Sequence, residues 1–255
     1  MTSLETWERS SNVAGGGDPY LFYVIYGDID LAVALSRSTY RSNGVPDGVD
    51  AMLYGWTSDS EVPSSFREGF VWNEFCGADP ALSRTVANTE QYVLLRGSPT
   101  DSATLNYVRD IVGLITHHID HGGCAVYDPL ILRWWRPEDW KTKVFLPAAP
   151  VPRHHAVILV SPEPDPSLSW FHTRGMRKFG RPDISIHDVS SELEDEVIDF
   201  CNRLIEHQAF GQIVPDGQEI NMGSLPPGGI IRHAGSLDDP DFNYFHLSVT
   251  WPNAT

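Results

Sequence analysis

Two windows of the chain carry hydrophobic residues at helical spacing. In the first window the apolar residues recur every three or four positions, and two glycines follow them. In the second, acidic residues crowd the first turns, where the helix dipole favours negative charge. The apolar positions are Leu105, Val108, Val112, Ile115 and Ile119 in the first window, and Leu193, Val197, Phe200, Cys201 and Leu204 in the second. The pattern predicts two main helices, roughly over residues 103–121 and 191–208.

Short apolar runs elsewhere in the chain are typical of strands. Residues 20–27 (YLFYVIYG), 90–97 (EQYVLLRG) and 124–128 (CAVYD) are such runs, and similar runs recur towards the C-terminus. Residues 37–64 are rich in Ser, Gly, Asp and Pro and are predicted to be loop, whereas 64–75 fits either a helix or a strand. We therefore predict an α+β protein in which a mixed or antiparallel sheet packs against the two main helices.

A proline-rich stretch, LPAAPVPRHH at residues 146–155, is the best candidate for a linker. It predicts two α/β halves, residues 19–147 and 148–255, after a flexible N-terminus of residues 1–18. One compact domain is the alternative.

The charge of the chain narrows the range of partners. With 34 acidic and 18 basic residues the formal net charge is -16, which repels nucleic acid and anionic membranes. No apolar run approaches the roughly 18 residues of a membrane span, and the first 20 residues lack a hydrophobic signal core. We therefore predict a cytoplasmic protein that binds neither nucleic acid nor membrane; a protein partner or a homodimer stays open.

The three cysteines, Cys76, Cys124 and Cys201, lie far apart in the sequence. Their number is odd and no C-x-x-C motif occurs. We predict three free thiols in a reducing compartment, and we expect Cys201 to be the most buried because it lies on the apolar face of its helix.

The segment FHTRGMRKFGRPDIS, residues 171–185, concentrates scarce cations. Arg174, Arg177, Lys178 and Arg181 fall within eight positions, between glycines and a proline that favour a shaped loop. Arginine presents a planar fork for carboxylate or phosphate, and lysine a point charge. Four neighbouring cations repel one another unless an anion or acids neutralise them. The block is therefore a candidate binding site for an anionic substrate, and the alternative is that its cations pair with acids and brace the loop.

The C-terminal segment supplies candidate catalytic residues. Read as a strand, FNYFHLSVTW puts His246 on the polar face, opposite to the apolar residues. Asp241 and Asn243 precede His246 and are candidates to orient or neutralise it, or, for Asn243, to bind substrate. If the two last strands pair, His233 could meet His246 and Asp241 in a general acid/base group. A His-His-Asp metal site is the weaker alternative, since no recognised ligand spacing supports a metal.

Two further features complete the candidates. Glu219 follows a predicted Pro-Asp-Gly hairpin, where it could pair with Arg174 or Arg181 or act as a catalytic base. His117 and His121 have a metal-compatible i, i+4 spacing, but the helical pattern predicts that they face solvent at the helix C-terminus.

The block Thr-x-Gly-Met-x-x-Phe-Gly-x-Pro-Asp resembles an uncharacterised bacterial family of the domain-of-unknown-function kind. Here the block runs from Thr173 to Asp183, and the similarity extends weakly over residues 90–222, including Asp216-Gly217. The resemblance implies an α+β fold and brings no established catalytic residue.

Two functions remain after these observations. The first is an enzyme acting on a small anionic metabolite, a carboxylate or phosphate, that is held by the basic block while a histidine moves a proton. No organic cofactor is indicated, because the chain has no P-loop or Rossmann glycine fingerprint. The second is a non-catalytic acidic protein of the immunity type, which masks a basic surface of a partner.

Overall fold

A computed structural model describes residues 4–55 and 66–251. The chain forms two compact units. The N-terminal unit consists of the residues up to Glu8 together with Tyr20–Val151, and the C-terminal unit of Arg9–Pro19 together with the residues from Pro152 onwards. The boundary after Val151 lies inside the proline-rich stretch.

The N-terminal unit is built on an antiparallel sheet. Its five strands lie in the order β2-β3-β1-β4-β5. Their bounds are Leu21–Gly27 (β1), Val49–Gly55 (β2), Gln91–Gly97 (β3), Gly123–Asp128 (β4) and Arg133–Trp135 (β5).

Helices cover both faces of this sheet. They are Arg37–Tyr40 (α1), Gly69–Ala78 (α2), Pro80–Ala87 (α3), Asn106–Asp120 (α4) and Pro137–Asp139 (α5), the last continuing into a π-helix over Trp140–Phe145. On one face, Val24 and Tyr26 pack with Phe75 of α2 and Val86 of α3. On the other, Trp140 packs against Tyr23 and donates a hydrogen bond to Thr116 of α4, at 3.1 Å.

The C-terminal unit contains a mixed sheet of six strands. Their order is β6-β7-β8-β11-β10-β9, with β8 and β11 parallel and the other neighbours antiparallel. The bounds are Val157–Pro162 (β6), Leu168–Arg174 (β7), Asp183–Ser190 (β8), Gln218–Glu219 (β9), Ile230–Gly235 (β10) and Phe245–Thr250 (β11).

One long helix, α6 (Glu194–Ala209), packs against this sheet. Its buried residues include Val197, Phe200 and Cys201, and the sheet contributes buried side chains such as Ile184 and Leu247. Short 3₁₀ turns at Pro152–His154, Met176–Phe179 and Ser191–Leu193 connect the elements. Because strand side chains alternate, the opposite face of the sheet carries the polar residues.

The predicted α+β fold with an antiparallel and a mixed sheet is confirmed. The two main helices lie where the hydrophobic stripe predicts them, at α4 and α6. Residues 64–75, which fitted either structure, supply helix α2 from Gly69 onwards. The prediction of loop over 37–64 misses strand β2, which pairs with β3 along its whole length. Positions 56–64 of that window lie outside the described residues.

The N-terminal segment is tied down from Trp7 onwards, in contrast to the predicted flexible terminus. Trp7 is buried, and its indole donates a hydrogen bond to the carbonyl of Ala148, at 2.8 Å. Arg9 is also buried and donates to the carbonyl of Phe179, at 2.6 Å. Burial of these two large side chains, which composition alone does not reveal, fixes the segment.

The prediction about the thiols is confirmed. Cys76, Cys124 and Cys201 are free, and Cys201 is the buried one. Burial raises the pKa of the Cys201 thiol to about 12, so this residue behaves as a small hydrophobic side chain of the core.

The prediction that His117 and His121 face solvent is wrong for His117. His117 is buried, and its Nε2 lies 3.2 Å from the carbonyl oxygen of Val33. The ring of Tyr40 packs against both histidines, with centroid distances of 5.0 and 6.2 Å. The predicted polar face of the helix is therefore covered by a segment distant in sequence.

In the described part of the chain, no helix has both the length and the apolar character needed to cross a membrane.

Candidate functional site

Three strands of the C-terminal sheet present polar and aromatic side chains on one face. Residues at alternate positions along a strand share a face, and paired residues of neighbouring strands do so too. The register pairs His172 with Ser185, and His246 with Asp183. We call this surface the histidine face; it comprises Trp170, His172 and Arg174 of β7, Ser185 and His187 of β8, and His246 of β11.

A stack of rings organises one half of the histidine face. Trp170 lies between His172 and His187, with centroid distances of 4.0 and 4.9 Å and interplanar angles of 22° and 7°. The Trp170 indole donates to Ser185 Oγ at 2.9 Å, and His172 Nε2 lies 3.1 Å from Ser161 Oγ. These contacts fix the ring orientations.

Phe242, from the loop before β11, joins the other half. The Phe242 ring stacks on His246 at 4.3 Å and 19°. The Arg174 guanidinium lies over the same ring, with its central carbon 4.1 Å from the ring centroid. Arg174 and His246 therefore converge on one small area.

Arg174 keeps donors available. Its guanidinium carries five N–H groups. One donates to the carbonyl of Thr173 at 3.0 Å and another to that of Asp241 at 2.6 Å. Within residues 4–55 and 66–251 the other three N–H groups have no hydrogen-bond partner. A half-buried guanidinium with free donors can bind an oxyanion.

The two central histidines are held neutral. Burial lowers the pKa of His172 to about 4, and the charges of Arg174 and His187 act in the same direction. Burial also lowers the pKa of His246, which Asp239 opposes and Arg174 reinforces. Asp239 Oδ2 lies 3.9 Å from His246 Nδ1. Near neutral pH both imidazoles are therefore bases.

Lys178 and Arg181, two of the four cations of the basic block, brace the loop from within. Both side chains are buried, at 1% exposure each. Lys178 Nζ donates to the carbonyl of His155 at 2.9 Å, and Arg181 donates to those of Gly180, Gly211 and Gln212 at 3.0–3.2 Å. Backbone carbonyls stabilise these charges. Two of the four cations of the basic block therefore hold the loop in place.

Three further predicted site residues, Arg177, Asp241 and Asn243, each make local contacts. Arg177 is half-buried over the Tyr244 ring, with its guanidinium carbon 4.9 Å from the centroid. Asp241 contributes its backbone carbonyl to Arg174. Asn243 adopts a left-handed backbone with φ of 50° and closes the turn by donating its N–H to the Asp239 carbonyl.

The predicted meeting of His233 with His246 does not occur on one face. Strands β10 and β11 do pair, but His233 is opposite Leu247, and His246 is opposite Ala234. Directly paired residues share a face and successive residues alternate, so the register assigns the two residues to opposite faces of the sheet, although both contribute to one cavity. His233 Nε2 lies 2.7 Å from the carbonyl of Val214 instead.

Glu219 lies apart from the basic block. It is exposed on β9 and lines a groove of about 410 Å³ between α6 and residues 213–222. Arg181, His233 and His246 contribute to a different cavity, of about 290 Å³. Of the residues predicted to share one pocket, Arg181, His233 and His246 line one cavity and Glu219 lines another.

The sequence analysis missed Trp170, His172 and His187 as members of the site. A signal is present in DISIH, residues 183–187, where polar residues alternate with isoleucines, whereas LSWFHTR shows no such alternation. Among the described residues, no group of three or more His, Cys, Asp or Glu side chains could hold a metal ion.

Comparisons with known proteins give no relative: no family model, no curated protein and no solved structure matches the chain. The family resemblance of the Thr173–Asp183 block therefore stays a prediction.

Proposed function

We propose that the C-terminal unit binds a small molecule through its oxyanion group, a carboxylate or a phosphate, on the histidine face, and that His246 accepts a proton from an O–H group of that molecule, which is left with the O–H bonding electron pair. The observation that carries the proposal is the half-buried Arg174 guanidinium, which keeps three donors beside two neutral imidazoles.

Arg174 supplies the binding energy in this proposal. Phe242 covers one side of the guanidinium, which restricts its motion and reduces the entropy lost on binding. A charge-assisted contact of this kind contributes about 1.5–3 kcal/mol. The bound anion also offsets the positive charge that Arg174 imposes on the neighbouring histidines.

His246 is the better placed of the two bases. Its side chain is 14% exposed, whereas His172 is covered by Trp170 and by the loop that carries Phe242. After proton uptake, the nearby Asp239 carboxylate stabilises the imidazolium. His172 orients the stack and responds to the same charges.

A second candidate, an acidic protein that covers a basic partner, is favoured by a different observation. Lys178 and Arg181 donate to backbone carbonyls and brace the loop. Exposed carboxylates cluster around the start of α6, at Glu192, Asp195 and Asp199. Such a cluster adds to the negative field of a chain with net charge -16.

The variant Arg174→Gln tests the first proposal. We expect it to weaken binding of inorganic phosphate or benzoate at least tenfold, since it removes the charged fork. An NMR titration of the wild-type and variant proteins measures this change. Arg203→Gln is the matched control, because Arg203 is exposed on α6 and its substitution removes the same single positive charge.

Equal affinities of the two variants for both anions would contradict the proposal. Binding of poly-lysine that is lost when Glu192, Asp195 and Asp199 are changed to the corresponding amides or to serine would instead support the second candidate.

A further inference from the structure

The C-terminal unit contains a cavity of about 290 Å³ whose wall is mostly apolar. Gly15–Gly17 form one side of it, and Pro182, Gln208, Val214 and Tyr244 contribute to the others. Gly17 donates its N–H to the carbonyl of Gly180 at 3.2 Å. A Cβ on Gly180 would lie 1.9 Å from the Gly17 oxygen, so the close approach of the Gly15–Gly17 segment requires glycine at position 180.

Two residues of the wall each have a buried side-chain atom without a hydrogen-bond partner in the described part of the chain, Gln208 Oε1 and His246 Nδ1. Gln208 is fully buried, and its Nε2 donates to the carbonyl of Pro182 at 3.3 Å, which assigns the orientation of the amide. Its Oε1 is buried and has no hydrogen-bond partner in residues 4–55 and 66–251. A buried acceptor without a donor costs about 1–3 kcal/mol, so a ligand that donates to it recovers this energy.

The polar groups of the wall, which also include His233 and His246, favour a neutral ligand. The Arg181 guanidinium, which also lines the cavity, is engaged by the carbonyls of Gly211 and Gln212 and repels a cation. A carboxylate has no donor and would leave Gln208 Oε1 facing negative charge. The ligand therefore has to be uncharged and to carry an N–H or O–H group.

The size and lining indicate an aromatic ligand. A dry cavity of about 150 Å³ already accommodates benzene, and this cavity is larger. Ile213, Val214 and the ring of Tyr244 offer apolar contact. We propose that this cavity binds a neutral one- or two-ring aromatic compound through a single N–H or O–H donated to Gln208 Oε1.

The proposal is tested with indole and benzofuran, which have nearly the same shape and differ in the N–H donor. We expect wild-type protein to bind indole about tenfold more tightly than benzofuran, because the indole N–H donates to a buried acceptor that otherwise lacks a partner. Isothermal titration calorimetry or NMR titration gives both dissociation constants. This comparison needs no variant and so does not depend on the folding of one.

Two variants locate the donor contact. In Gln208→Leu the ratio of the benzofuran dissociation constant to the indole dissociation constant should fall to about one. Gln218→Leu, at an exposed position of β9, should keep the wild-type ratio. Equal affinities in the wild type, a preference that survives Gln208→Leu, or no binding of either compound would overturn the proposal. The last result would mean that water alone satisfies Gln208.

Discussion

Arg181→Met is expected to destabilise the C-terminal unit by about 3 kcal/mol. The guanidinium donates to the carbonyls of Gly180, Gly211 and Gln212 in a site with 1% exposure. Methionine fills much of the volume but donates nothing, and each buried carbonyl left without a partner costs about 1–3 kcal/mol. Relaxation of the loop and entry of water recover part of the loss, so the expected value lies below the sum for three carbonyls. Urea unfolding followed by tryptophan fluorescence measures the change.

The matched control for this change is Arg203→Met. Arg203 is exposed and pairs with Asp199 one helical turn away, at 2.8 Å, an arrangement that contributes a few tenths of a kcal/mol. A loss for Arg181→Met no larger than that for the control would contradict the bracing role. The anion hypothesis for Arg181 would then regain its main support.

Acidification from pH 6.5 to 4 is expected to destabilise the C-terminal unit through buried histidines. Burial lowers the pKa of His155 to about 3, with the Lys178 charge acting in the same direction, and burial lowers that of His172 to about 4. Both folded-state pKa values lie below the ordinary value near 6.5. As the pH falls below about 6.5, the unfolded chain therefore binds protons at these two histidines that the folded unit does not bind. The stabilisation is complete above about pH 6.5 and is lost as the pH falls towards the folded pKa values.

Asp183 opposes this loss. Burial raises the pKa of its carboxyl to about 6, while hydrogen bonds from Thr173 and the Met176 N–H act in the other direction. Between about pH 6 and 4 the folded unit thus binds one proton that the unfolded chain lacks. For these three groups, two histidines against one carboxyl leave a slope of roughly 1.4 kcal/mol per pH unit, and the lowered pKa of His246 acts in the same direction as the two histidines.

His155→Phe tests the assignment of the acid sensitivity. The backbone carbonyl that accepts from Lys178 remains, and the new ring can pack on Phe179 as the imidazole does, at a centroid distance of 6.2 Å. In this variant the slope of the unfolding free energy against pH should fall by roughly 1.4 kcal/mol per pH unit, which corresponds to one proton fewer taken up on unfolding. His207→Phe, at an exposed position of α6, should leave the slope unchanged. The opposite pattern would refute the assignment.

The hydrophobic pattern was sufficient to predict the elements with local signals. The stripes in α4 and α6 follow from spacing within one helix, and the position of Cys201 on the apolar face of α6 predicts its burial. Strand β2 was missed because most of its side chains are only partly buried or exposed, so its pairing with β3 leaves little hydrophobic alternation.

The site was predictable only in part, because its decisive contacts are not local. The Arg181 partners Gly211 and Gln212 lie about 30 positions further along the chain. The histidine face depends on the register between β7, β8 and β11, which places His172, His187 and His246 on one side. Register also separates His233 from His246, although both lie on paired strands. A shift of one residue would reverse that outcome.

The most direct test of the proposed oxyanion site is the pKa of His246 with and without ligand, followed by NMR of labelled histidine. Burial lowers this pKa and the Arg174 charge lowers it further; an anion held by Arg174 offsets that charge, so the pKa should rise when saturating phosphate or benzoate is added. A smaller rise is expected for His172, which the same charge affects. In Arg174→Gln the ligand should leave both values unchanged. Identical pKa values of His246 in the presence and absence of both anions, in protein that retains Arg174, would contradict the account.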